Sequence, residues 1–280
     1  MALSFRIGTV GSPISSPKKP GGSLGAVKQI HALGLQALEL GWVQSVRVSE
    51  ETCALIKLEG QIQDVSLSVH APYYINLNAN DEEWPKSRKR LMDAAFYGNL
   101  AGATDIVFHP GSYFEQPAEV VLGKAIPRLA ECLHEIRANG NPVILRPETM
   151  GKSAMLGSLE DTLEMSHQIP GVLPCLDFAH LHARTGGKVN SKGEWLVQLE
   201  MVQSVLGSDS LKSLHIHLSG IEYSAKGEKK HLPFKESDFN LIELLEALIQ
   251  MNCGGRILCE SPIMENDALY IQELLQIIQN

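Results

Sequence analysis

The sequence lacks the features that mark secreted, membrane-spanning and disulfide-rich proteins. Its 280 residues include only five cysteines, an odd number with no CxxC pair, and most of them lie among apolar neighbours. We therefore expect reduced, buried thiols in a cytoplasmic protein. No apolar run approaches the roughly 18 residues of a membrane-spanning helix. The N-terminal segment, MALSFRIGTVGS, lacks the basic and then apolar pattern of a secretion signal, so we expect none.

Two common nucleotide-binding signatures are also absent. The segment after the first predicted strand, GTVGSPISSPKKPGG, contains neither GxGxxG nor a P-loop, which disfavours a doubly wound open sheet. The formal net charge is −8, which disfavours nonspecific binding to a polyanion unless the basic residues are concentrated on one face. The 44% hydrophobic content is ample for a full core.

The sequence does contain a regular alternation of extended and helical patterns. Short apolar runs predict eight strands, at 4–10, 37–42, 64–70, 104–109, 142–148, 173–178, 213–218 and 256–260. Helical patterns lie between and after them, roughly at 23–34, 49–59, 85–101, 117–139, 158–168, 194–206, 237–251 and 265–279. This alternation predicts an α/β protein with one domain over 1–280, a closed (β/α)₈ or TIM barrel.

Ionisable residues stand at or just past the ends of six successive predicted strands. The runs read SLSVHAP, DIVFHPGS, VILRPETM, LPCLDFAHLH, SLHIHLSG and RILCESP. A buried strand has no use for an ionisable group unless that group is paired or ligates metal. Since the carboxyl ends of barrel strands converge on the active-site face, the pattern predicts one polar, metal-binding centre there. The residues are His70, His109, Glu148, Asp177, His180, His182, His215, His217 and Glu260, with His231 following in a loop.

The ligand types narrow the choice of metal. Histidines and carboxylates without cysteine are typical of catalytic zinc, manganese or iron sites. The alternative, a satisfied structural histidine or a solvated carboxylate, has to hold independently at six strand ends. Residues two apart share a face of a strand, so either member of each histidine pair can ligate. We prefer His180 over His182 because Asp177 and His180 form a D-x-x-H pair, and His217 over His215 because it lies nearer the strand end.

The motifs around these residues resemble the endonuclease IV family, metal-dependent apurinic/apyrimidinic endonucleases built on a (β/α)₈ barrel. HAPYYINL at 70–77 looks like the family signature, and FHPGSY at 108–113 is the second specific match. Shorter matches follow in order: PET at 147–149, LDFAH at 176–180, HIHLSG at 215–220, His231 and CESP at 259–262. The resemblance spans roughly residues 64–262 and is weakest over the first two strand–helix units.

The resemblance implies three metal ions, commonly zinc, and cleavage of DNA on the 5′ side of an abasic site; manganese or iron is also possible. It implies three ligand sets: His70, His109 and Glu148; Glu148, Asp177, His217 and Glu260; and His180 with His231. Glu148 would bridge the first two ions and help to position the attacking hydroxide. Glu148 and Glu260 are the predicted catalytic residues.

One position departs from the family pattern. The third site of the family draws a carboxylate from two residues before the late histidine, in an Asp-x-His arrangement, and Lys229 stands there in this chain. A protonated ammonium cannot ligate a cation. Glu228 can take over, the site can rely on two histidines and water, the third ion can be absent, or Lys229 can replace its charge against a phosphate. The other two sites are unaffected.

The substrate is the remaining question. For DNA containing abasic sites, the predicted contacts are Tyr73, Asn76, Arg184, Lys229 and Lys230. The alternative is a small sugar, since the superfamily contains isomerases and epimerases with one ion held by Glu148, Asp177, His217 and Glu260 and the two glutamates as acid and base. That alternative leaves His70, His109 and His231 underused, so the nuclease is favoured over it. A noncatalytic barrel is the least favoured, because burying this many ionisable groups without a function would cost stability at each one. We expect a monomer with no membrane association.

Overall fold

The computed structural model describes residues 5–279, and it is a single (β/α)₈ barrel. Eight parallel strands form the wall: β1 (Phe5–Val10), β2 (Ala37–Gly41), β3 (Ser66–His70), β4 (Ala103–Phe108), β5 (Ile144–Pro147), β6 (Cys175–Asp177), β7 (Leu214–Leu218) and β10 (Gly255–Cys259). Their order is β5-β4-β3-β2-β1-β10-β7-β6, and parallel bridges from Leu145 to Val172 and from Glu148 to Cys175 link the two edges. The predicted strands are confirmed to within a few residues, although residue 4 lies outside the described part of the chain.

Nine α-helices surround the barrel within residues 5–279. They are α1 (Gly22–Ala32), α2 (Glu50–Ile62), α3 (Trp84–Leu100), α4 (Ala118–Ala138), α5 (Leu159–Gln168), α6 (Phe178–Arg184), α7 (Lys192–Leu206), α8 (Leu241–Gln250) and α9 (Glu265–Gln279). Their apolar faces and the strands form one continuous core, in which Trp195 and Phe108 are fully buried. None of these helices is both long and apolar enough to cross a membrane.

Two elements differ from the sequence prediction, and both carry site residues. The segment after Asp177 turns at once into α6, because the Asp177 side chain accepts a hydrogen bond from the His180 backbone N–H at 2.7 Å and caps the helix. His180 therefore lies on a helix and not at a strand end. The predicted loop around His231 is wrong as well: β8 (Gly220–Ser224) and β9 (Gly227–Leu232) form an antiparallel hairpin between β7 and α8.

Candidate metal centre

The predicted ligands converge at the carboxyl ends of the strands. His70 and Asp177 end their strands, and Glu148 and Glu260 directly follow theirs. Within three sets, the nitrogen and oxygen atoms that can ligate lie within 4.8 Å of one another. The sets are His70, His109 and Glu148; Glu148, Asp177, His217 and Glu260; and Asp177, His180 and His231. The barrel therefore brings together all eight residues predicted as ligands.

Glu148 lies where the first two sets meet. Its Oε2 is 3.2 Å from Nε2 of both His70 and His109, and its Oε1 is 3.2 Å from Nδ1 of His217. The residue is fully buried. Burial alone would raise the pKa of the Glu148 carboxyl, but His217 and His109 outweigh it and hold that pKa well below its usual value. An ionised carboxylate with each oxygen facing a different set has the geometry of a bridging ligand.

Backbone carbonyls set the orientation of three histidines. Nδ1 of His70 lies 3.0 Å from the Ala71 carbonyl oxygen, and Nδ1 of His180 lies 2.9 Å from that of Thr149. Nδ1 of His231 lies 3.2 Å from the backbone oxygen of Glu260. A carbonyl only accepts hydrogen bonds, so each Nδ1 carries a proton and each Nε2 is directed at the centre as a potential ligand. This is the arrangement in which outer partners orient metal-binding histidines.

The buried charges shift several pKa values. Burial would lower the pKa of His70, but the hydrogen bond to Glu148 and its charge raise it to about 9. Burial also opposes the charged form of His180, yet Asp177 and Glu148 raise its pKa to about 9. Burial raises the pKa of Asp177 to about 6. The cluster of carboxylates thus requires compensating positive charge, which either protons or metal ions supply.

The geometry fits a divalent ion. Nε2 of His180 and Nε2 of His231 face each other at 3.3 Å, a separation at which either a shared proton or a metal ion satisfies both nitrogens. Asp177 Oδ2 is buried without a hydrogen-bond partner among the described residues. Bonds of about 2.0–2.1 Å in a tetrahedral zinc shell separate neighbouring ligands by roughly 3.3–3.4 Å. The donor set and its spacing therefore suit zinc, and the same nitrogen and oxygen donors suit manganese and iron.

Glu39 is a site residue that the sequence analysis missed. It lies within β2, is fully buried, and places Oε1 3.0 Å from Nε2 of His217 and Oε2 2.9 Å from Nε2 of His215. Its Oε2 also accepts a hydrogen bond from the Ser68 hydroxyl at 2.7 Å. Burial favours the neutral acid, but His217 and His215 hold the pKa of Glu39 well below its usual value. The available signal was an acidic residue inside the apolar run ALELG.

The other members of the two histidine pairs lie outside the three predicted ligand sets, although potential ligand atoms of His215 and Cys175 lie within 4.8 Å of one of His217. His215 reaches Glu39 at a deeper level of the barrel. His182 lies 2.9 Å from the backbone oxygen of Val189 through Nδ1 and 3.1 Å from Asp238 through Nε2. The structure thus directs His180 and His217, the preferred members, toward the centre.

Tyr73 lies at the edge of the centre. Its ring stacks on His109, with centroids 4.9 Å apart and an interplanar angle of 18°, and the residue is 46% exposed. A groove of about 590 Å³ begins there, and its lining includes Tyr73, Tyr74, Asn76, Arg90, Phe114 and Lys124. The side-chain oxygen of Asn76 is already used within the protein, because it accepts a hydrogen bond from the Asn78 backbone N–H at 2.9 Å.

The three cationic residues predicted to contact DNA are engaged with the protein itself. Arg184 Nη1 donates to the carbonyl oxygens of Met150, Lys152 and Met155 at 3.2, 2.6 and 3.1 Å. Its guanidinium thereby holds the loop that follows β5. Nζ of Lys229 and Nζ of Lys230 lie 3.0 and 3.4 Å from the carboxylate of Glu222.

A closed parallel barrel with histidines and carboxylates at its strand ends places the chain among the α/β barrels whose strand ends carry potential metal ligands. Within that class, this chain belongs to the xylose isomerase-like TIM barrel family, whose model matches residues 27–280. An uncharacterized protein from Methanocaldococcus jannaschii is 39% identical over 267 residues, 95% of each chain. A probable endonuclease 4 from Staphylococcus carnosus is 31% identical over 191 residues, 64% of this chain and 61% of the relative.

Solved structures agree on the architecture. Endonuclease IV from Thermus thermophilus superposes with a TM-score of 0.69 at 22% identity, covering 96% of this chain and 98% of that one. A D-tagatose 3-epimerase-like protein superposes with a TM-score of 0.72 at 20% identity, covering 96% of each chain. At these identities the two structures establish the fold alone. The relationship to endonuclease IV that the motifs predicted is confirmed. The activity of this chain is a separate question.

Proposed function

We propose that this protein is a metal-dependent phosphodiesterase that hydrolyses DNA on the 5′ side of abasic sites. The observation that carries the proposal is the presence of three converging ligand sets where a single-ion enzyme needs one. His70 and His109 form part of one extra set, and His180 and His231 form part of another. A phosphodiester, whose entering and leaving oxygens both need stabilisation, is a substrate class that uses several ions.

The proposed cofactor is zinc, with manganese or iron as chemically suitable replacements. His70, His109 and Glu148 would hold one ion, and Glu148, Asp177, His217 and Glu260 a second. A third would lie by His180 and His231. When bound, such ions supply Lewis-acid stabilisation of a phosphoryl group and of the water that attacks it.

The two proposed catalytic carboxylates differ in exposure. Glu148 is completely buried, so it is suited to hold the cluster together and to orient groups within it. The Glu260 side chain is 10% exposed, and its Oε1 lies 3.6 Å from Nδ1 of His217. It is the more accessible of the two carboxylates for proton exchange with substrate or solvent.

The groove beside the centre supports a nucleic acid substrate. Tyr73, Tyr74 and Phe114 are 46%, 58% and 58% exposed, and aromatic rings of this kind stack on bases without sequence preference. Arg90 and Lys124 line the same groove and supply positive charge for phosphates. Arg90 is also engaged, since its Nη1 donates to the Tyr74 carbonyl oxygen at 3.2 Å, so Arg90 and Lys124 join Arg184, Lys229 and Lys230 as proposed cationic contacts.

A sugar isomerase or epimerase is the second candidate. Glu148, Asp177, His217 and Glu260 form a complete four-ligand set, in which the two glutamates can act as acid and base. The D-tagatose 3-epimerase-like structure shows that the fold hosts proteins of that type. This candidate predicts one ion per chain and leaves His70, His109 and His231 without a role.

The deciding experiment is cleavage of a labelled duplex with one abasic-site analogue, with the metal content of the same sample counted by mass spectrometry. We expect a cut on the 5′ side of the lesion, no cut in the undamaged duplex, and two or three ions per chain. An uncut duplex with one ion per chain, together with turnover of a small ketose, would replace the nuclease proposal with the epimerase one.

A further inference from the structure

The β8–β9 hairpin contains a β-bulge at Lys229. Ile221 pairs with His231 and Glu222 with Lys230, but the next pair joins Tyr223 to Glu228. One residue of β8 is thus opposed by two residues of β9, which is the definition of a bulge. The bulge removes Lys229 from the regular alternation of side chains along β9.

The side chains around the bulge confirm this geometry. Glu222 Oε1 lies 3.0 Å from Nζ of Lys229, and Glu222 Oε2 lies 3.4 Å from Nζ of Lys230. Consecutive residues of a regular strand point to opposite faces, yet these two lysines reach the same carboxylate. Their side chains are 52% and 64% exposed, so both stand on the outer face of the hairpin.

The same bulge turns Glu228 inward. The Glu228 side chain is only 19% exposed, and its Oε2 lies 3.5 Å from Nε2 of His180. That Nε2 lies 3.3 Å from Nε2 of His231. We propose that Glu228 is a ligand of the third metal ion, added to Asp177, His180 and His231. A Glu-x-x-His sequence with one bulged residue then takes the place of a regular Asp-x-His.

Gly151 makes room for this placement. A Cβ atom added at Gly151 would lie 2.6 Å from the Glu228 Cβ, 3.0 Å from its Oε2 and 3.2 Å from Cδ2 of His180. The Glu228 backbone N–H donates to the Gly151 carbonyl oxygen at 3.2 Å, which ties the hairpin to the loop after β5. Only a residue without a side chain lets the carboxylate and the imidazole come together here.

Zinc binding tests the assignment directly. The metal-free protein is titrated with zinc against a competing chelator, and bound zinc is counted by mass spectrometry. We expect three ions in the unchanged chain. In Glu228→Ala we expect two ions at unchanged affinity and a third weakened by more than the roughly 10–100-fold that loss of an outer-sphere partner costs. Normal binding of the first two ions shows that the variant is folded.

Three further variants sharpen the test. Glu236→Gln, an exposed glutamate past the same hairpin, should bind three ions. Gly151→Ala should weaken only the third, because its methyl group displaces Glu228. Lys229→Asp should leave all three unchanged, since residue 229 faces outward. Two results would overturn the assignment: an unchanged affinity for the third ion in Glu228→Ala, or a higher affinity for the third ion in Lys229→Asp.

This inference rests on the proposed multi-ion site, but its failure and that of the nuclease proposal look different. Three zinc ions, one of them dependent on Glu228, with no cleavage of abasic DNA would keep the ligand and reject the activity. Cleavage of abasic DNA by a protein whose third ion does not depend on Glu228 would keep the activity and reject the ligand. Two ions in the unchanged chain would reject the ligand assignment alone.

Discussion

At the residue scale, Glu148 is the position on which most of the centre depends. Each of its oxygens contacts a different set of histidines, and it lies entirely out of solvent. Glu148→Gln keeps the shape but removes the charge that faces those histidines. We expect cleavage to fall by at least the roughly 10²–10³-fold that loss of one preorganised electrostatic group costs. Single-turnover rates measure this, with circular dichroism to confirm the fold and the exposed Glu200→Gln as the control. A near-normal rate would remove Glu148 from the mechanism.

Glu39 is expected to act as a positioning residue through His217. Its Oε1 lies 3.0 Å from Nε2 of His217 without hydrogen-bond geometry, and we expect its negative charge to hold the ring with Nδ1 toward Glu148. Glu39→Gln should lower kcat about 10–100-fold with little change in KM, and zinc affinity should fall with it.

Glu39→Asp provides the informative comparison for this role. It retains the charge, so we expect it to recover part of both kcat and zinc affinity. A purely structural role for Glu39 would instead lower the melting temperature of both variants and leave the zinc affinity of the folded protein unchanged.

The sequence could reveal the eight candidate ligands but not Glu39. An ionisable residue at a strand end interrupts an apolar run at the place where parallel strands converge, so the sequence alone identifies it as a candidate ligand. Glu39 lies inside its strand, and its partners His215 and His217 are distant in sequence. A buried acid in a strand interior has no fixed meaning until its neighbours are known.

At the scale of elements, α5 supports the loop that runs from β5 past Thr149 and Gly151. Ser158 caps this helix by accepting the Asp161 backbone N–H at 3.1 Å, and Asp161 accepts the Ser158 backbone N–H in return at 2.9 Å. Ser158→Ala should lower the free energy of unfolding by about 0.5–2 kcal/mol. Urea denaturation measures it, with the exposed Ser204→Ala as the control. Equal effects at the two serines would show that the cap contributes nothing specific.

The two elements that sequence patterns failed to predict are α6 and the β8–β9 hairpin. Helix α6 is too short for its helical period to stand out, and the apolar run before it reads naturally as a longer strand. The hairpin strands, GIEYS and GEKKHL, contain few apolar residues, and Glu222, Lys229 and Lys230 on them face outward. The apolar pattern that identifies a strand is therefore missing. Both elements are defined by contacts with neighbouring parts of the barrel, which the local pattern does not contain.

At the scale of the whole molecule, a buried ion network closes the end of the barrel opposite the candidate metal centre. Asp105 lies 2.7 Å from Nε of Arg146 and 2.9 Å from Nη2 of Arg256. Burial alone would raise the pKa of Asp105, but the two guanidinium groups outweigh it and hold that pKa well below its usual range. The carboxylate is therefore charged in the folded protein under all mild conditions.

This network predicts a pH dependence of stability. Because the pKa of Asp105 is lower in the folded chain than in the unfolded one, its contribution is complete above about pH 4 and is lost as the pH falls further. Asp105→Asn should destabilise the protein by about 3–5 kcal/mol at pH 7, because it leaves buried guanidinium charge unpaired. The deficit should shrink when urea denaturation is repeated at acid pH.

Asp93→Asn is the control for this pH dependence. Asp93 forms an exposed pair with Lys89, which is worth roughly 0–1 kcal/mol. A deficit in Asp105→Asn that stays constant from neutral to acid pH would contradict the low folded pKa.

Metal removal should also act on the whole molecule. The centre joins residues from six barrel strands or the loops that directly follow them, together with α6 and β9, so ions bound there link most of the circumference. A ligand at 100 times its dissociation constant stabilises the folded state by about 2.7 kcal/mol. Chelation should therefore lower the melting temperature by several degrees, and zinc should restore it. Glu148→Gln should show a smaller shift, and identical curves with and without chelator would argue against tight metal binding.

The sequence by itself determined the barrel and the end of it at which the polar residues gather. Alternating strands and helices force parallel strands, and parallel strands put every carboxyl end on one face, so local patterns were sufficient. Only the tertiary structure decided that Glu39 lies beside His217, that Arg184 holds a loop, and that a bulge turns Glu228 inward and Lys229 outward. These depend on which atoms meet across the barrel, and a one-residue change of register reverses the face that a side chain occupies.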